Sequence, residues 1–539
     1  VTGWLHTGHA LMLAIEDALI RFNRMSGRKA LWVPGTDHAA IATTAKVANM
    51  FYKEEGKTHH EIGKKRFLER ARTYTQESHD TIVHQVKKMG ASLDWSREAY
   101  TFDEARSHAV NTAFKKMYDE GLIYRGDRIV NWDPKLQTNV SDDEVEYKEE
   151  KTRFYYLKYG PFTIGTARPE TKFGDKYVVM HPNDKRYKEY KHGQTIDLEW
   201  INDPITATII KDEVMDMEFG TGVMTITPWH SQVDFDMAER HGLDKEQIID
   251  LEGKLLQIAG EFAGTHIDRA RTLIVEKLDR KGLLEKVDDN YSHRIATNSR
   301  GGGVIEPQIM RQWFVDVNKS FTLPHSDIDG INASKKTTLK NLMLAVVKSG
   351  QITIVPKRFD KTYFHWIEHL RDWCISRQIW FGHQIPVWYR EDEIHVDVQP
   401  PEGEGWKQDP DTLDTWFSSG LWTFSTLGWP EKTEDLKTYH PTDVLETGYD
   451  ILFFWVARMI LMSTYLLGDI PFRTVYLHGL VRDEQGRKMS KSLENAVDPL
   501  DAIHKFGADA LRMAMIVGVG PGQDAIISEN KIRAYKKFS

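Results

Sequence analysis

The sequence predicts an α/β protein, in which a doubly wound parallel-sheet domain is interrupted by a β-rich insertion and then resumes. Three observations predict it. Strand-like and helix-like runs alternate near the start, the texture changes near residue 151 to short alternating runs, and the first pattern returns after the triple glycine Gly301 to Gly303. The 539 residues, at about 150 per folding unit, suffice for three to four domains and rule out a single small binding module.

Each element follows from local pattern. Leu11, Ile15, Leu19 and Phe22 recur at helical spacing behind the loop Thr2 to Gly8, and Lys29 to Val33 reads as a short strand stopped by Pro34-Gly35. Val110, Phe114 and Met117 mark a helix over Ser107 to Glu120, and Ile129 to Trp132 reads as the next strand of a parallel layer. The runs Phe154 to Tyr159, Phe162 to Thr166, Thr206 to Ile210 and Gly222 to Ile226, broken by Gly, Pro and Asp, are those of a β-rich insert. Trp313 to Val317, a helix around Lys335 to Lys348, Tyr476 to Leu480 and Ala508 to Val517 restore the alternation. The expected divisions are therefore 1–150, 151–301, 302–475 and 476–539.

Composition excludes several classes. A 40% hydrophobic share, 28% charge and a mean hydropathy of −0.50 place the chain among folded globular proteins rather than disordered ones. The single cysteine, Cys374, cannot form an intramolecular disulfide or a cysteine-based zinc site and suits a reducing compartment. The longest apolar stretch, Ile451 to Leu467, is broken by Arg458, so no membrane partner is expected. The start at Val1, with neither a basic nor an apolar leader region, reads as a fragment. A net charge of −8 argues against a generic polyanion binder and leaves room for local basic contacts to nucleic acid.

Two strings carry the chemistry. His6-Thr7-Gly8-His9 stands at the mouth of the first helix, where unpaired N–H groups, a close-approach glycine and two imidazoles suit phosphate. Lys488-Met489-Ser490-Lys491-Ser492 follows Gly486 and brings two lysines that can meet charge migrating during attack at an α-phosphorus. Lying at opposite ends of one interrupted α/β domain, the two strings form a nucleotide crevice if that domain closes.

The HxGH and KMSKS pair resembles the class I aminoacyl-tRNA synthetases. The flanking strings Pro34 to Ala39, Asn131 to Pro134, Asp372 to Gln378, Asp414 to Ser419 and Glu446 to Ile451 resemble the branch that charges branched-chain amino acids. Within that branch Gly35-Thr36-Asp37-His38 resembles the valine-specific members. The resemblance implies a Rossmann-type catalytic domain making valyl-adenylate from valine and ATP with Mg2+, then charging tRNA(Val), in the cytoplasm and as a monomer. It implies that His6, His9, Lys488 and Lys491 are catalytic, with Gly8, Glu446, Gly448 and Ser490 completing the ATP site. Asp37 and Asp450 would take the substrate ammonium, and Trp416 and Ile451 would wall its apolar side chain. Further pocket residues are expected upstream of Val1, and an anticodon-binding domain beyond Ser539.

The insert resembles an editing domain that hydrolyses mischarged threonyl-tRNA, which implies roles for Thr166, Arg168, Thr171, Thr227, His230 and Asp234. Three positions depart from that pattern: Thr225 stands where lysine is usual, Ser231 where aspartate is usual and Ala167 where threonine is usual. Slower editing is expected. The rival readings are an isoleucine or leucine enzyme, a silent tRNA-binding paralogue, and a zinc hydrolase at His365-Trp366-Ile367-Glu368-His369, whose HxxEH spacing puts both imidazoles on one helix face. No metal site and no zinc are expected, because that string runs directly into Asp372-Trp373-Cys374, which the synthetase resemblance already absorbs.

Overall fold

A computed structural model describes residues 2–218, 220–489, 495 and 497–539. The chain divides into two units, one made of Val1–Arg125 with Trp313–Ser539 and the other of Gly126–Gln312.

In the first unit the strands nearest the nucleotide-type strings pair in parallel, while short antiparallel pairs such as Ser376–Arg377 with Thr412–Leu413 stand beside them. Phe472–His478 lies between Thr353–Val355 and Thr442–Gly448, and the register sets Glu446 beside Tyr476 and Gly448 beside His478. Gly35–Thr36 pairs in parallel with Ala99–Tyr100, and Val481–Arg482 with Ala525–Ile526. Parallel strands end together, so side chains just past their carboxyl ends converge, and this edge is where open α/β sheets bind ligands. Thr36 opposite Tyr100 thereby sets Asp37 next to Thr101.

The core beneath is apolar. All nine residues of the helix Arg458–Leu466 are buried, and Val475, Leu477, Phe417 and Phe424 pack with it. Tyr449 to Leu466 has the length and apolarity to cross a membrane, yet two-thirds of it is buried inside this unit. Burial of this apolar surface, at about 25 cal/mol per Å2, explains its composition.

Three expectations change. Lys29 to Val33 forms no strand: Pro34 has no N–H for a ladder, and only Gly35–Thr36 pairs, while Trp32 and Val33 face a cavity. Ile129 to Trp132 does not join the parallel layer. It belongs to Ile123–Asp133, which pairs antiparallel with Thr138–Val140 because only four residues join them, too few for a parallel crossover. The compact unit that holds the insertion, Gly126–Gln312, is also wider than 151–301, and the ladder that sets Val145 opposite Asn298 brings residues 145–150 into it.

That second unit is β-rich, as its alternating runs predict. A four-stranded sheet runs in the order Val223–Thr225, Tyr177–Met180, Ile205–Lys211 and Thr195–Leu198. A three-stranded antiparallel ribbon joins Leu284–Asn298, Val145–Tyr159 and Phe162–Thr166. Tyr159, Val178, Trp200 and Ile209 fill the core, and the helix Ile267–Arg280 covers it with Ala270, Ile274 and Leu278 at helical spacing.

Candidate active site

The first helix, Thr7–Met25, begins at the HxGH string, and His6 is its N-cap. The Gly8 N–H donates to His6 Nδ1 at 3.0 Å, and the His6 N–H donates to His9 Nδ1 at 3.3 Å. This is a capping box built from two imidazoles. An Nδ1 that accepts a backbone N–H is unprotonated, so each neutral ring carries its proton on Nε2. The rings lie 4.1 Å apart, centroid to centroid. Gly8 is required by the same fold-back, because a Cβ there would stand 2.9 Å from His6 Cε1.

The second string reaches this helix end. The Thr7 hydroxyl donates to Met489 Sδ at 3.4 Å, joining residues 482 positions apart. The Met489 N–H donates to Val481 O at 3.0 Å, and Lys488 is exposed. Asp483 ties the loop by accepting from Asn495 Nδ2 and the Arg487 N–H, each at 2.8 Å, and the Asn495 bond leads the causes that lower its pKa to about 2. Ser490 and Lys491 lie outside the described residues.

Beside the helix is a cavity of about 420 Å3 lined by His9, Glu16, Trp32, Asp37, Thr101, Trp416, Ile451 and Trp455, among others. His9, Asp37, Trp416 and Ile451, four of the residues singled out from sequence, therefore share one wall system. Asp37 accepts from Thr101 Oγ1 at 2.9 Å, Thr415 Oγ1 at 3.2 Å and the Ala39 N–H at 3.1 Å, and His38 Nδ1 lies 3.2 Å away. Burial opposes its ionisation, but the His38 contact and the backbone N–H outweigh it and hold the carboxyl below the usual range. Gly35 makes room here: a Cβ would fall 2.1 Å from Trp422 Cζ2.

Asp450 sits elsewhere. It is exposed, is absent from the cavity lining, and leans over Gly448, whose Cβ would meet Asp450 Oδ1 at 2.5 Å. Glu446 is buried against His478 Nδ1 at 2.5 Å, and among the described residues its Oε2 has no hydrogen-bond partner. Burial raises the pKa of Glu446 against the pull of His478, and burial together with Glu446 raises that of Glu16. Glu16, Thr101, His478 and Trp455 stand in no short motif. Thr101 was findable only through strand register, and Trp455 only through the face of an apolar helix.

The second unit gathers its own polar cluster. Arg168 sits between Glu170 at 3.1 Å and Glu306 at 2.5 Å, and Arg271 also pairs with Glu170, at 2.8 Å. Thr166 Oγ1 accepts the Arg168 N–H at 2.9 Å, and the Thr171 hydroxyl donates to Arg168 O at 3.0 Å. His230 Nε2 accepts the N–H groups of Ile248 and Ile249 at 3.0 and 3.1 Å, leaving Nδ1 protonated beside Pro307 O and Glu306, both at 3.1 Å. Both of its nitrogens thus hold the fold. Asp234 Oδ2 accepts the Thr227 N–H at 2.8 Å, and the Thr227 hydroxyl donates to Asp175 Oδ1 at 3.3 Å. Ser231, standing where aspartate is usual, still caps the helix Gln232–His241, so that replacement preserves the turn.

At HxxEH, the His365 and His369 rings lie 4.5 Å apart, and His369 Nδ1 bonds back to His365 O at 2.7 Å. Among the described residues no group of three or more His, Cys, Asp or Glu side chains could hold a metal ion.

The sequence model of the family described as tRNA synthetases class I (I, L, M and V) matches residues 1–404 and 398–528. The chain belongs to this family. Among curated relatives it is similar to the valine-tRNA ligases of Clostridium acetobutylicum and Bacillus subtilis, each 45% identical. Both alignments cover 100% of the chain, which spans only 60% of either relative. Among solved structures, LeuRS of Agrobacterium radiobacter K84 agnB2, in a ternary complex with tRNA and LeuAMS, matches 100% of this class I synthetase chain and 70% of its own at TM-score 0.52 and 18% identity. Mycobacterium tuberculosis methionyl-tRNA synthetase bound by methionyl-adenylate matches 99% and 66% at TM-score 0.52 and 16% identity. These two likenesses establish the shared fold.

Proposed function

We propose that this class I synthetase activates valine with ATP and charges tRNA(Val), and that its second unit hydrolyses threonyl-tRNA. The observation that carries the synthetic reading is the Thr7–Met489 contact beside a cavity holding the ionised Asp37. In the reaction, the valine carboxylate attacks the α-phosphorus of ATP and pyrophosphate leaves. The 2′- or 3′-hydroxyl of the terminal tRNA ribose then attacks the acyl carbon, and AMP leaves.

Asp37 would pair with the substrate ammonium, with Trp416 and Ile451 against the isopropyl group. The Nε2–H donors of His6 and His9, with Lys488 and Lys491, would meet the phosphates as charge moves toward pyrophosphate. Glu446 Oε2, unpaired among the described residues, would accept from a ribose hydroxyl, and Gly448 would give that ribose backbone access. Mg2+ enters with ATP as part of the substrate.

An editing unit answers a physical need. An apolar pocket separates valine from threonine by only about 100-fold, the figure established for valine-specific enzymes. The carboxylates and hydroxyls of Asp234, Asp175 and Thr227 would select the threonine hydroxyl that the apolar pocket tolerates. The deciding experiment on the synthetic reading is pyrophosphate exchange with valine, isoleucine, leucine and threonine using full-length protein. Preference for isoleucine or leucine transfers the assignment to those branches, and no exchange with any amino acid removes it.

A further inference from the structure

The lysine that an editing pocket of this kind is expected to carry at position 225 is missing from the strand Val223–Thr225, where threonine stands instead. The ammonium itself is not missing. Lys172, on the short turn Pro169–Gly174, extends across to that strand and donates from Nζ to Thr225 Oγ1 at 3.1 Å. Its Nζ also lies 3.4 Å from Asp175 Oδ2, and the Lys172 side chain is only 9% exposed. Asp175, Thr225, Thr227 and Asp234 are all buried around it.

A buried ammonium is costly unless paired, and a core position on this turn would be filled at lower cost by an apolar side chain of similar length. The charge therefore calls for a reason beyond packing. The carboxylates supply one. Asp175 is pushed up to about 6 by burial, and Lys172 is the largest influence pulling it back. Asp234 is likewise raised by burial and drawn down by the Thr227 N–H and by Lys172. The Asp234 charge adds to the burial that resists ionisation of Asp175, and the Lys172 ammonium pulls both carboxylates the other way.

We propose that Lys172 is a positioning residue of the editing site, its ammonium standing against Thr225, where the family resemblance places a lysine, and so holding Asp175 and Asp234 in place for deacylation. This rests on the editing reading above. The Thr225 hydroxyl accepts from this ammonium, which ties the turn to the strand.

The test is a swap in the full-length protein, with preformed threonyl-tRNA as the probe. Lys172→Met should slow deacylation by at least tenfold. Lys172→Met combined with Thr225→Lys should recover it to within about threefold of wild type, because the charge returns from the other strand. A residue that merely packs would not be rescued by that second change. Thermal unfolding of each variant separates lost function from lost folding. Wild-type deacylation that survives Lys172→Met overturns the proposal, as does a folded double variant that stays inactive. Wild type that deacylates no faster than buffer overturns the editing reading itself, and this proposal with it.

Discussion

The Thr415 hydroxyl donates to Asp37 Oδ1 at 3.2 Å, joining residues 378 positions apart. Thr415 follows Asp414, the N-cap of the short helix Thr415–Ser419, which presents Trp416 to the cavity. One hydrogen bond therefore couples the carboxylate proposed for the substrate ammonium to the segment carrying an apolar wall. The two partners come from the stretches on either side of Gly126–Gln312, so the bond ties together the two halves of this unit.

Asp37→Asn should raise the valine KM at least about 30-fold while moving the ATP KM little, since removing one charge from a desolvated pair costs about 2–5 kcal/mol. Asp450→Asn should do the reverse, because Asp450 leans over Gly448 and stands outside the cavity lining. Pyrophosphate exchange with each substrate varied in turn decides this. A valine KM that follows Asp450 and ignores Asp37 reverses the two roles.

Lys488→Ala should lower the rate of adenylate formation on the order of 100-fold, with a much smaller change in valine binding, as expected of a cation aimed at charge that develops only in the transition state. Equal losses in rate and in binding would identify a ground-state contact instead.

Gly8→Ala tests the imidazole capping box. The added Cβ would stand 2.9 Å from His6 Cε1, so the exposed ring must swing away and give up the Gly8 N–H. Loss of an N-cap costs about 1 kcal/mol, and the misplaced Nε2–H should slow adenylate formation on the order of tenfold. An unchanged rate would show that His6 orientation does not matter to the chemistry.

Asp175 predicts a pH signature in stability. Its pKa rises from the ordinary 3.8 to about 6 on folding, led by burial. A raised pKa means that the folded state binds this proton more tightly, so its contribution is fully present below pH 3.8 and is lost as pH rises through 6. The shift corresponds to on the order of 3 kcal/mol. Asp175→Asn should therefore lose on the order of 3 kcal/mol of stability relative to wild type between pH 7 and pH 4. Denaturant midpoints of both proteins at the two pH values measure it, and a difference that does not change with pH refutes it.

How much was legible follows from what kind of signal each residue sends. The HxGH helix was readable because four apolar positions repeat at 3.6-residue spacing behind a capping string, and Asp37 because it stands in a recognisable stretch. Thr101, the main hydroxyl donor to Asp37, sends no local signal, since only the pairing of Thr36 with Tyr100 brings it there. The strand expected over Lys29 to Val33 failed because apolar β-prone residues also line cavities, and only the partner strand distinguishes the two uses. Lys172 was invisible for a related reason. A lysine in a turn reads as solvated, and the strand it crosses to is 53 residues away.

The last prediction concerns Asp234, the carboxylate at the start of the helix Gln232–His241. Oδ2 accepts the Thr227 N–H at 2.8 Å, which fixes the side chain against the strand end and directs it toward the cluster with Lys172 and Asp175. In that position it can accept from the threonine hydroxyl or ammonium, or orient the attacking water. Asparagine keeps the size and an acceptor oxygen while removing the charge, so Asp234→Asn isolates the carboxylate from its helix-start role. Deacylation of preformed threonyl-tRNA by the full-length variant should fall by about 100-fold, the scale for loss of a positioned acid–base or charged group. Mischarged threonyl-tRNA should then accumulate when threonine and ATP are supplied. Thermal unfolding of the variant reports whether this unit remains folded, and pyrophosphate exchange, the reaction proposed for the other unit, should be unchanged. If Asp234→Asn deacylates as fast as wild type, the hydrolytic centre must be sought at the separate Arg168, Glu170 and Glu306 cluster, where charge is already paired within the protein.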